Sequence, residues 1–223
     1  MQINVIARQV RRLLGNMSST RLDDQAIFDI HNIEARQIVE GEDYWFAIVS
    51  GKELIFPAGT KRIDYPADYR SWIKGHIYLE NATSPREVTP IDIEEAYRLG
   101  ATTTGTVKNI IDDGKGFQLH DIPDAEVVLR LSYNALPAEI SGPEGTNFLT
   151  DNCPDVLTHF LAWKCANAMN GMTETAMIQR GEYENAKDLL AAENLVRRAG
   201  KLEMVGRSDA EDAGYGLDGG LVI

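Results

Sequence analysis

Positive charge, cysteine and long apolar runs are all scarce in this sequence. It carries 22 Lys and Arg against 34 Asp and Glu, a formal charge of -12. Tight binding of nucleic-acid phosphates needs neutralising cations, so the composition argues against a protein that grips DNA or RNA. Two compatible readings remain: a soluble, self-repelling surface, or a wall that nucleic acid passes without sticking. The two cysteines, Cys153 and Cys165, fit a reducing compartment. On one continuous helix they would lie on different sides and could not be bridged. No apolar run approaches the ~20 residues of a membrane helix. The first residues mix Arg8, Arg11 and Arg12 into an apolar repeat without an apolar h-region or cleavage site. No secretory leader and no membrane contact are therefore expected, and the chain is read as made in the cytoplasm.

Catalytic signatures are equally sparse. Gly51-Lys52 and Gly114-Lys115 run into Glu53 and Gly116 rather than a phosphate-loop Ser or Thr. There is no nucleophile elbow and no His-Glu-x-x-His pair. Of the histidines, His31 with Glu34 could touch a metal, but a surface or interface histidine is the preferred reading. His159 does not share zinc spacing with Cys153 and Cys165, and Cys165 reads as a small core hydrophobe. The carboxylate pairs Asp23-Asp24, Glu94-Glu95 and Asp112-Asp113 sit at a cap, a helix face and a turn, where local roles suffice. No catalytic residue, cofactor or metal is expected.

What the sequence does hold is a change of period. With 43% hydrophobic residues, a chain of 223 buries a core without staples. Ile6, Val10, Leu13 and Met17 predict a first helix. Asp23 predicts the N-cap of a second, with Asp24 in its first turn and Ile27, Ile30 and Ile38 on its face; Gly41 ends it. Strand-like runs follow: Tyr44 to Val49, a turn at Ser50-Gly51-Lys52, Leu54 to Phe56, and Lys61 to Tyr65. Then comes a run with Trp72, Lys74, His76 and Tyr78 on one side and Ile73, Ile77 and Leu79 on the other. Pro90 to Leu99 predicts a short helix. A hairpin is predicted from Thr104 to Leu119 across Asp113-Gly114, and a last strand from Ala125 to Tyr133, for roughly five to seven strands in all.

Helices resume at Pro154, where Val156, Leu157, Phe160, Leu161 and Cys165 form a stripe up to Asn170-Gly171. Thr173 caps another helix with Met177, Ala186, Leu189, Leu190 and Val196 facing inward. Glu193 and Arg197 make an i,i+4 pair, and Gly200 ends the helix. The expected fold is α+β. Helix pairs at both ends, residues 1–42 and 136–204, form a four-helix core around an inserted antiparallel β domain, residues 43–135. Residues 205–223 form a C-terminal arm. Glycine-rich, this arm ends in apolar Leu221-Val222-Ile223, a composition suited to adding a strand to a neighbour or lying in its groove.

Certain pieces of this order are familiar: Arg21-Leu22-Asp23-Asp24 after an opening helix, then Ile27, Ile30 and Asn32. Tyr44-Trp45-Phe46 and Phe56-Pro57-Ala58-Gly59-Thr60 come next, then Asp64-Tyr65-Pro66-Ala67-Asp68-Tyr69 and Tyr133-Asn134-Ala135-Leu136-Pro137. Thr146-Asn147-Phe148-Leu149, Cys153-Pro154-Asp155-Val156-Leu157 and a helical pair ending Asn194-Leu195 complete the set. From about Ala7 to Gly200 the chain resembles the portal-binding head-to-tail adaptors of short-tailed bacteriophages. Cys153 stands where that family has a bulkier residue.

The resemblance implies a structural virion protein of the neck. It implies a ring of twelve copies beneath the portal protein, helices lining a DNA channel that binds no specific sequence, and a downstream tail or nozzle protein as a further partner. The arm, through Tyr215, Leu217, Leu221, Val222 and Ile223, would dock on the portal. The other readings are a different neck or tail-completion protein, a carbohydrate-binding or scaffold module, and an enzyme acting on carbohydrate or cell wall. That enzyme would use Asp64, Asp68 or Glu80 in a concave pocket beside Trp72 or Tyr78.

Overall fold

The computed structural model describes residues 1–79, 85–100, 103–105, 107–169 and 171–212, with side chains through residue 198. Helix α1, Ile3–Leu13, buries Ile3, Ile6, Ala7 and Val10. Gly15 and Asn16 close it in the left-handed conformation, at φ 84° and 57°. Asp23 caps α2, Asp24–Glu34, by accepting the Ala26 N–H at 2.6 Å. The helical path breaks at Ala35 and resumes as α3, Arg36–Val39.

The aromatic run that follows is not a strand. Trp45–Ala47 is a 3₁₀ turn, with Tyr44 fully buried and stacked on Phe46 at 5.2 Å. These rings join the helical core, so burial overrides their strand propensity. The first strand, β1, is Ile48–Phe56. It runs through Ser50-Gly51-Lys52, where the expected turn is instead a register shift against the partner strand, with Gly51 at φ 72°.

Next come β2, Arg62–Asp64, and β3, Tyr69–Leu79. β3 also slips register between Trp72 and Lys74. The slip moves Trp72 to the inner face, edge-on to Phe117 at 5.3 Å, and leaves Ile73 exposed. Strict alternation had put Trp72 on the Lys74 side; a bulge inverts that phase. β4, Arg86–Val88, precedes β5, Pro90–Ile91, and α4, Ile93–Arg98, which Asp92 caps at 2.7 Å. The predicted helix over 90–99 thus begins three residues later, after a short strand. β6, Ile110–Asp112, and β7, Gly116–Leu119, form the expected antiparallel hairpin, and β8 is Val127–Ala135.

The strands make two four-stranded sheets, ordered β1-β8-β3-β4 and β2-β7-β6-β5. Among the described strands the pairings are antiparallel except β5 with β6, which is parallel, and an isolated parallel bridge joins Thr104 to Ile122. Phe56, Ile77, Leu129 and Leu131 of the first sheet share one apolar cluster with Ile110, Phe117 and Leu119 of the second.

Asn147 then caps α5, Phe148–Asn152, and Pro154 opens α6, Pro154–Ala168. Val156, Leu157, Phe160, Leu161 and Cys165 are buried as the stripe predicts, among residues of α1, α2 and α3. The ring of Phe148 touches both apolar clusters. The last helix, α7, is Thr173–Asp212. It continues through Gly200, where the sequence predicted its end, a glycine inside a helix costing only about 1 kcal/mol. Tyr215, Leu217, Leu221, Val222 and Ile223 lie outside the described residues. No described helix is long and apolar enough to cross a membrane.

Candidate interaction surfaces

Helix α7 is apolar on two opposite faces. One face, Ala176, Gln179, Tyr183, Leu190 and Asn194, is buried on the body. Tyr183 packs against Phe160 and Trp163, and Gln179 Oε1 lies 2.9 Å from His159 Nδ1. At 100° per residue, Ile178, Asn185, Leu189, Ala192 and Val196 fall on the far side, with Met177 and Leu195 beside them. Their exposure is 71% at Met177, 55% at Ile178, 74% at Leu189, 70% at Leu195 and 72% at Val196. Met177, Leu189 and Val196 therefore point outward, contrary to the sequence expectation. The helix has two apolar stripes, and the polar members of one, Gln179 and Asn194, hid which stripe faces inward. The exposed apolar side chains form two groups, Met177 with Ile178 near the start and Leu189, Leu195 and Val196 farther along, and exposed apolar patches of this kind often mark interaction sites.

On the other flank of α6, α1 borders a groove of about 500 Å³ lined by Arg12, Leu13, Asp155, Thr158 and His159. Cys153 and Cys165 are buried free thiols whose pKa burial pushes up to about 12, so they are inert at neutral pH.

The junction between helices and sheets centres on Asp43. Its carboxylate accepts the Arg70 guanidinium and the Asn134 amide, the latter at 2.8 Å. Its carbonyl accepts Asn194 Nδ2 at 3.1 Å and Arg198 at 3.2 Å. Asn194 Oδ1 also takes the Trp45 N–H at 3.0 Å, and Arg197 lies over the Trp45 ring at 4.3 Å. Arg70 reaches on to the carbonyls of Val39 and Glu42. One loop thus ties β3, β8 and α7 together. Asn194 is buried, so its amide needs these partners.

A second polar knot holds the returning chain to α2. Asn32 pairs like a strand with Ile140, donating to its carbonyl and accepting its N–H, both at 2.9 Å. His31, read from sequence as a surface or interface group, is buried within the chain. Its Nδ1 faces Asn32 Oδ1 at 2.9 Å and its Nε2 faces Asn147 Nδ2 at 3.2 Å. An amide nitrogen only donates, so Nε2 accepts and the ring is neutral. Burial pulls the imidazole pKa below its ordinary 6.5, against a smaller upward pull from Asn32. Above pH 6.5 the ring is neutral folded or unfolded, and its contribution is full. As pH falls below 6.5 the unfolded chain takes a proton that the folded chain refuses, and stability drops until the folded-state pKa is reached. Thermal unfolding from pH 7.5 to 5 should show this fall, and His31→Gln should flatten it.

Neither of the two described acids proposed for carbohydrate chemistry, Asp64 and Asp68, lines a described cavity with Trp72 or Tyr78. Asp64 is exposed and pairs with Arg62 at 3.0 Å. Asp68 accepts the Tyr133 hydroxyl at 2.7 Å and lines a cavity of about 380 Å³ with His31 and Leu136; Trp72 and Tyr78 do not line it. Glu80 lies outside the described residues. Glu34 binds Lys164 rather than joining His31 at a metal, and no group of metal-ligating side chains occurs among the described residues.

An exposed apolar stripe on α7, a groove beside α1 and two buried polar knots are what the described residues offer, with no catalytic constellation among them. The model of the SU10 adaptor protein family matches residues 1–205, and the chain belongs to that family of phage structural adaptors. The resemblance to head-to-tail adaptors is thereby upheld. No curated protein matches the chain significantly.

Proposed function

We propose that copies of this chain form a closed ring beneath the portal of a phage head, extend the DNA channel and join the capsid vertex to the tail, without enzymatic activity. The observation that carries the reading is the exposed apolar face of α7, which a solitary chain leaves in water. Family membership supplies the adaptor role. Twelve copies are proposed, with a tail or nozzle protein below. The helical residues 1–42 and 136–204 would line the channel, and residues 43–135 would face outward or toward the tail. An acidic chain suits such a channel, because DNA slides past carboxylates that cannot hold its phosphates.

Residues beyond α7 carry Tyr215, Leu217 and Leu221-Val222-Ile223, which would dock on the portal and gain area by ordering on contact. Burying apolar side chains stabilises by ~1.5–3 kcal/mol each, which offsets part of the entropy lost in fixing the segment. Removing residues 214–223 should weaken recruitment to immobilised portal protein by about tenfold or more and leave the melting temperature unchanged. Undiminished recruitment would remove the arm from the reading.

A further inference from the structure

We propose that the C-terminal end of α1 and the turn after it form a loose DNA contact, in which Arg8, Arg12 and Arg21 meet backbone phosphates. The presence of DNA rests on the adaptor reading; the surface itself does not. Charge is segregated along this chain. Residues 1–22 hold four arginines, no lysine and no acid. The other 18 of the 22 Lys and Arg share residues 23–223 with all 34 acids.

Folding keeps the arginines together. Arg8 and Arg12 stand one turn apart on α1. The turn after α1 folds back on it, the Met17 N–H donating to the Arg11 carbonyl at 3.0 Å and Arg11 Nη1 to the Leu22 carbonyl at 3.3 Å. Arg21 is thereby brought to the same end. Arg11 is engaged by Asp24. Arg8, Arg12 and Arg21 are exposed and have no ion pair among the described residues. A helix C-terminus favours cations in its last turn, which accounts for Arg11 and Arg12 but not for Arg8 or Arg21.

The surroundings suit phosphate better than a protein partner. Asn16, Ser18, Ser19 and Thr20 are exposed in the turn, and hydroxyls and amides beside arginine are the groups that hold phosphate oxygens. Between residues 2 and 22, Leu13 is the one large apolar side chain exposed, at 36%. A protein interface is built instead around desolvated apolar and aromatic anchors. The carboxylates nearby are Asp155, in the groove beside Arg12, Asp23, which caps α2, and Asp24, which Arg11 neutralises. Three arginines opposed by Asp155 and by an acidic chain hold DNA weakly and read no base. Copies around a ring repeat the contact, so weak contacts sum.

The test is fluorescence anisotropy of labelled 20-base-pair duplexes of two unrelated sequences, with the full chain free and assembled on portal protein. Both duplexes should bind alike. Affinity should fall about 40-fold between 50 and 200 mM salt, as counterions released from about three phosphates require. Replacing Arg8, Arg12 and Arg21 together with glutamine should weaken binding by about tenfold or more, flatten the salt dependence and leave the melting temperature unchanged. The control removes the same charge elsewhere, by Lys52→Gln, Lys108→Gln and Lys115→Gln, three exposed lysines of the β-rich segment. It should bind as the parent does.

Equal loss in the lysine variant, or no salt-dependent binding by a chain that still forms rings on portal protein, overturns the contact and leaves the adaptor reading intact. An arginine variant that binds DNA normally but forms no rings shows a protein contact there and also overturns the proposal. Arginine-dependent binding by a chain that never assembles on portal protein supports the contact and overturns the adaptor reading.

Discussion

Replacing Ile178, Leu189 and Val196 together with glutamate should leave a folded monomer that no longer assembles on portal protein. All three side chains are more than half exposed, and glutamate is at least as good a helix former as isoleucine or valine. Surface changes of this kind usually move stability by no more than ~0.5 kcal/mol each, so circular dichroism and melting temperature should stay near the parent's. Association loses much more. Burying each apolar side chain is worth roughly 1.5–3 kcal/mol, and three carboxylates would now enter a contact that desolvates them. The matched control is Tyr183→Glu, one face away. Tyr183 is buried against Phe160 and Trp163, so this change should unfold the helical body. If the triple variant unfolds and the Tyr183 variant does not, the phase assigned to α7 is wrong.

Asn147→Ala should be the most damaging single substitution at a polar side chain. The amide oxygen accepts the N–H groups of Leu149 and Thr150 at 3.0 and 3.2 Å. Its nitrogen donates to the Ala138 carbonyl at 2.8 Å and to His31 Nε2. Thr150 Oγ1 closes the capping box by accepting the Asn147 N–H at 2.9 Å. Losing the cap costs about 1 kcal/mol, and buried groups left without partners add ~1–3 kcal/mol. A total near ~3 kcal/mol corresponds to a fall of about 10 °C in a chain of this size. Asn147→Ser should recover the cap alone and lie between the two. Thermal melts at pH 7.5, where His31 is neutral in both states, give the cleanest comparison.

Much of this architecture was legible because burial and local chemistry agreed. The Asp23 cap, the hairpin across Asp113-Gly114, the Pro154 start and the stripe from Val156 to Cys165 all follow from short-range rules that tertiary packing left in force. The misreadings share a cause. Tyr44 to Ala47 has the composition of a strand, yet those rings complete the helical core. Trp72 lies on the wrong side of an alternating pattern because a bulge shifts the pleat. In α7 most of the large aliphatic side chains face water, and a tyrosine, a glutamine and an asparagine face in beside Leu190. Periodicity finds an apolar face but does not say whether the partner is the same chain or another. That ambiguity concealed which stripe of α7 is exposed. The knots at Asp43 and Asn147 were hidden for a different reason. Their partners are distant in sequence, such as Asn194 for Asp43 and His31 for Asn147, and no local spacing signals them.

Acidic subunits joined through exposed apolar surfaces should collect into a collar on a portal. The decisive experiment is sedimentation and electron microscopy of the full chain, alone and mixed with the portal protein of the same phage. Small particles are expected for the chain alone, and portal particles should gain one closed ring of it on mixing. Continued free sedimentation beside unaltered portal particles, or binding to a tail tube in their place, would contradict it.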